Sequence, residues 1–201
     1  MAEKETKNLI TDAKNHLVGA IRGVGDITGA VADAVANTVV HTLRGTRAVG
    51  AELLGLIVGT VTGAVQGVAE VGGEVGSAAR SIMVGTLQGT QMVGKAGMET
   101  VTVTASTLVK SASEVGGNVA DTAKGAVEGA IASARDIGLT AEDAASAAAS
   151  GALQAAGEIG TTAVHEVQNV LTKSISGVKV VVKEPFRSGK QKEQRGEQPR
   201  A

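Results

Sequence analysis

Histidines and acidic pairs are the side chains of this sequence that could carry acid–base or metal chemistry. His16, His41 and His165 lie far apart in the chain, without the spacing of a metal-ligand set. Glu142 and Asp143 are adjacent, which is more typical of a solvated helix face than of an acid–base pair. The glycines recur at a regular interval, unlike those of a phosphate-binding loop. We therefore predict a non-catalytic protein with no cofactor, no metal and no small-molecule substrate.

The composition excludes further classes of protein. The chain has 201 residues, a formal net charge of −1, 28 glycines, no cysteine and a single phenylalanine. Without cysteine there is no disulfide framework, and without a basic excess a nucleic-acid partner is not expected. Alanine, valine and glycine replace the leucine and aromatic residues of an ordinary enzyme core. No apolar segment typical of a secretory signal follows Met1, so we expect an intracellular location.

An internal repeat organises the chain. Eight blocks of 22 residues run without insertion or deletion from Thr6 to Val181, and the last position of every block is Ile or Val. Block position 16 is always aliphatic, and block position 18 is always Gly, Ala or Ser. We predict a leader at residues 1–5, eight repeats at 6–181, and a basic tail at 182–201 that is disordered because it lacks apolar content.

Apolar and small residues recur within the blocks in steps of three and four, which indicates an all-α fold. Three helical turns per 11 residues is a period of about 3.67, so each block holds two such units, or hendecads. No charged residue or histidine lies on this line from Leu9 to Val182, which predicts one long amphipathic helix. The stripe residues that we expect to face a lipid surface or a partner are Leu17, Val24, Val31, Val35, Leu53, Ile57, Val61, Val68, Val75, Val101, Leu108, Val119, Val127, Val167, Leu171 and Val178.

A segmented helix is the alternative for the same sequence. Glycine opens six of the eight blocks and could end a helix at each of them, which would give eight short helices. The apolar phase continues unbroken across these glycines, which favours the continuous helix, because a turn would normally shift the phase. A fold into hairpins is expected first at the paired glycines Gly72-Gly73 or Gly116-Gly117.

Four glycines at intervals of four residues, Gly55, Gly59, Gly63 and Gly67, form a glycine zipper. Small residues at this spacing let helices approach closely. The zipper lies in an uncharged window, Leu53–Ala69, whose 17 residues are at the short end of the ~17–25 that cross a bilayer. Close packing between helices outside a membrane is the favoured interpretation.

Two stretches carry a resemblance to known repeat families. Gly63–Val71 and Thr122–Gly129 resemble the 11-residue repeats of synucleins and perilipins, and the 22-residue block resembles that of exchangeable apolipoproteins, which commonly place Pro between blocks. Group 3 late-embryogenesis-abundant proteins share the 11-residue repeat, and phasins are a looser match. The resemblance implies a coat that folds upon a lipid or granule surface. Leu53–Ala69 lacks the lysines of synuclein repeats, so strong dependence on anionic lipid is not implied.

Three functions are compatible with the stripe. The first is a cytoplasmic protein, peripheral to a membrane or granule, that coats a lipid, membrane or hydrophobic granule surface. The second is a self-assembling structural protein, a homo-oligomer in which the stripes bury each other as a hendecad coiled coil. The third is a stress protectant of the late-embryogenesis type.

Overall fold

The computed structural model describes residues 2–22, 27–44, 51–173, 175, 177 and 178. This part of the chain is all-α and contains no strand, only one isolated bridge between Ile175 and Val178. Val24 and the tail at 182–201 lie outside the described residues. Helix α1 begins at Ala2 and so includes most of the expected leader. The helices are α1 Ala2–Arg22, α2 Ile27–Arg44, α3 Ala51–Glu70, α4 Val75–Met92, α5 Met98–Glu114, α6 Val119–Ser133, α7 Ala141–Ile159 and α8 Thr161–Leu171.

The prediction of one continuous helix is wrong, because glycines end the helices at regular intervals. The backbone φ angle is positive at Gly72 (73°), Gly94 (69°), Gly116 (76°), Gly138 (73°) and Gly160 (146°), which lie 22 residues apart at the first block position. A positive φ costs glycine little, since glycine has no Cβ. The breaks expected at Gly72-Gly73 and Gly116-Gly117 are therefore present, and three more occur in the same register.

Four of these turns share one hydrogen-bond pattern. The backbone N–H after the glycine donates to a carbonyl five residues earlier, as in Gly73 to Val68 (2.9 Å) and Gly117 to Ala112 (2.7 Å). This six-to-one bond defines the Schellman motif, which satisfies carbonyls at a helix end. Lys95 and Leu139 donate in the same way to Thr90 and Ala134. The apolar phase survives each turn because helix and turn together fill two hendecads.

The eight helices form two layers. Helices α1, α3, α5 and α7 contact one another in order in one layer, and α2, α4, α6 and α8 do so in the other. Consecutive helices contact each other across the layers. Helices two apart run parallel: Gly63 of α3 meets Ile10 of α1, and Gly67 of α3 meets Leu17 further along α1.

Small side chains dominate the core between the layers. Most of the buried apolar residues are Ala and Val, joined by larger ones such as Ile57, Ile82 and Leu108. Buried threonines return their hydroxyls to the helix itself: Thr86 donates to the Ile82 carbonyl at 2.8 Å, and Thr107 to the Val103 carbonyl at 2.8 Å. Hydrogen-bonded in this way, threonine can occupy positions that valine fills elsewhere in the core.

Candidate interaction surfaces

The predicted stripe lies inside the fold. Most of its described members are buried, and Leu53, Val119 and Val178 are half-buried against the same core. The structure thus brings the stripe residues together, because helices of one chain cover each other's apolar faces. The buried members are Leu17, Val31, Val35, Ile57, Val61, Val68, Val75, Val101, Leu108, Val127, Val167 and Leu171.

Three of the four zipper glycines form the contact between α3 and α1. A Cβ built at Gly59 would lie 2.8 Å from Leu9 Cδ2, and one at Gly67 would lie 3.0 Å from Leu17 Cδ2. At Gly63 it would collide with the Ile10 carbonyl oxygen. Gly55 differs, since it is exposed and has nothing within 4 Å. Glycine therefore sets the distance between these two helices.

The same contact recurs along both layers. A Cβ at Gly89 of α4 would lie 2.7 Å from Val39 Cβ of α2, and one at Gly129 of α6 would lie 2.7 Å from the Arg80 carbonyl oxygen of α4. Gly151 of α7 faces the Thr102 carbonyl of α5. Each helix thus presents a glycine face to the helix two before it. In this arrangement, backbone contacts compensate for the small side chains of the core.

Helix α5 interrupts this pattern and leaves a groove between α3, α5 and α7. The positions that carry glycine in α3 are Val103, Thr107 and Ser111 in α5. The Thr62 and Ser111 hydroxyls meet across the contact at 3.2 Å. The groove has a volume of about 440 Å³. Its lining is polar and was not predicted from the sequence: Val58, Thr62, Thr102, Val103, Ser106, Thr107, Lys110, Ser111, Glu114 and Gln154.

Acidic residues end three helices of one layer. Glu70 and Glu114 are the last residues of α3 and α5, and Glu158 lies in the last turn of α7, with no basic residue in these turns. A carboxylate at a helix C-terminus opposes the helix dipole by about 0.3–1 kcal/mol. Lysines of neighbouring helices offset this cost: Lys14 Nζ lies 2.8 Å from Glu70 Oε2, and Lys110 Nζ lies 2.6 Å from Glu158 Oε2.

We expect Glu158→Gln to lower the pKa of Lys110 toward its ordinary 10.5. The hydrogen bond and charge of Glu158, with a weaker attraction from Glu114, hold this pKa above that value. Because the folded-state pKa is raised, the stabilisation is present at neutral pH and disappears as pH rises through it. Both side chains are about half exposed, so stability at pH 7 should fall by less than about 1 kcal/mol. NMR titration of the lysine side chains measures the shift; an unchanged pKa would contradict it.

Two of the three histidines line one surface. His16 and His41 border a shallow groove between α1 and α2 with Asn15 and Asn37, whereas His165 is on α8. Within the described ranges, no group of three or more His, Cys, Asp or Glu residues could hold a metal ion.

Helix α3 is the one described helix that is long and apolar enough to cross a membrane. It has 20 residues, and half of its most apolar window is buried inside the fold. A core helix passes the same test of length and composition.

No protein-family model matches this chain, and no curated protein matches its sequence.

Proposed function

We propose that this chain is a non-catalytic structural scaffold, a stack of helical repeats that binds partner proteins or further copies of itself. The observation that carries the proposal is the burial of the stripe. Val61, Val101, Leu108 and Val127 are each 0% exposed, because helices of the same chain cover them. A stack whose apolar faces are already covered does not need a lipid surface in order to fold.

The arrangement of the repeats supports the same proposal. Each helix contacts its neighbours along its layer and across to the other layer, as in repeat proteins whose stability is a sum of local interfaces. Such stacks offer extended surfaces on which partners dock. The polar groove over α5 and the open end at α1 and α2 are two such surfaces.

A lipid or granule coat is the second candidate function, and α3 favours it. Its apolar sequence could leave the stack and lie in an interface, where α1 would no longer cover Gly59, Gly63 and Gly67. In this case the protein would be intracellular and peripheral to the surface that it coats. The glycine contacts with α1 would have to separate first, so the coat needs an opened state of the stack.

Far-ultraviolet circular dichroism, with and without lipid vesicles, tests the scaffold against the coat. We expect a helical spectrum in buffer, a cooperative thermal transition, and no change on adding neutral or anionic vesicles. The stack should fold in buffer because its apolar residues bury each other. A coil spectrum in buffer that becomes helical only with vesicles would overturn the scaffold proposal and support the coat.

A further inference from the structure

One glycine of the repeat has no helix to face. At block position 14, Gly63, Gly85, Gly129 and Gly151 each lie against a backbone carbonyl of the helix two before them. Gly19 occupies this position in α1, the first helix of its layer, and a Cβ built there would have nothing within 4 Å. The glycine face that joins the other helices is therefore open in α1.

The surface around Gly19 is a polar groove of about 660 Å³ between α1 and α2. Asn15 and Asn37 share block position 10 in the first two blocks, so the two helices present amides at matching places. An amide both donates and accepts, and can therefore bond to an amide of an identical surface. We call this surface the N-terminal end face; its residues are Asn15, His16, Gly19, Asn37, Thr38 and His41.

We propose that the N-terminal end face joins two copies of this chain in a two-fold dimer. The end face continues the interface that already joins α3 to α1 and α4 to α2, so helices of the kind found in this chain fit against it. A two-fold contact places the same patch on both subunits, which suits a groove lined by self-complementary amides. This dimer rests on the proposed scaffold function and specifies one of its partners.

The opposite end of the stack does not match this surface. Helix α8 has 11 residues, whereas α2 has 18, so the last two helices cannot supply a pair as long as α1 and α2. Head-to-tail growth would need such a pair. The dimer is therefore closed, with the α7 and α8 ends pointing outward.

The substitution Gly19→Gln tests the dimer, with Gly157→Gln as the matched control. Gly157 of α7 is also exposed and also has nothing within 4 Å, but it lies far from the end face in the stack. Both substitutions should raise the thermal midpoint, because each replaces a helix glycine in open space. Sedimentation velocity should show a dimer for the original chain and the control, and at least a tenfold weaker dimer for Gly19→Gln.

Three results would overturn the dimer. They are a folded monomer at every concentration, which would make the end face a polar cap of the stack; a dimer equally strong in both variants; and open-ended polymers. None of these would affect the scaffold proposal, provided that circular dichroism shows a folded helical chain. An unfolded chain in buffer would instead overturn the scaffold, and the dimer with it.

Discussion

Gly151→Ala is expected to destabilise the protein, although alanine is the better helix former. The added Cβ would collide with the Thr102 carbonyl oxygen of α5 and would lie 3.2 Å from the Ser106 backbone nitrogen. Backbone atoms cannot rotate away as a side chain can, so α5 and α7 must separate. Overpacking of this kind typically costs about 1–3 kcal/mol, which exceeds the gain of about 1 kcal/mol from helix propensity. Denaturant unfolding followed by circular dichroism measures the difference.

The same substitution at Gly157 provides the control within α7. A Cβ there meets nothing within 4 Å, so Gly157→Ala should stabilise the protein by up to about 1 kcal/mol. The two substitutions therefore have opposite signs in one helix. If both stabilised the chain equally, α5 and α7 would not be in close contact, and glycine would not set the distance between the helices.

The helical class and the need to bury the stripe could be predicted from the spacing of apolar residues. The continuous helix could not be excluded in this way. A turn that begins at Gly72 and restarts the helix at Val75 keeps the apolar phase, because the next block repeats the same 22 residues of helix and turn. Unbroken phase therefore does not distinguish a long helix from a stack of equal helices. The glycine at the first block position was the sequence signal for the turns.

The glycine zipper was interpreted correctly as a close-packing surface, but its partner could not be identified from spacing. Gly63 faces α1, which is two blocks earlier in the chain, and only the two-layer arrangement brings them together. The α5 groove was missed for a related reason. Val103 and Thr107 look like ordinary helix residues until α3 and α7 supply glycines at the equivalent positions. The departure from the repeat, more than the residue types themselves, is the signal for the groove.

Val61→Asp should prevent the stack from folding. Val61 is 0% exposed in α3, and no lysine or arginine is on the stripe to pair with a carboxylate there. An unpaired charge in an apolar core costs several kcal/mol, which is comparable with the total stability of about 5–15 kcal/mol of a typical domain. Circular dichroism and a thermal scan in buffer should show loss of the cooperative transition.

Val58→Asp is the control, because it makes the same change three residues earlier in the same helix. Val58 is 36% exposed at the edge of the α5 groove, so the new carboxylate stays hydrated. We expect stability to fall by about 1 kcal/mol or less, since a solvated surface charge disturbs little packing. If both variants kept the original spectrum and midpoint in buffer, the burial of α3 would be wrong. If Val61→Asp then also lost binding to vesicles, the stripe would face lipid, and the coat would replace the scaffold as the proposed function.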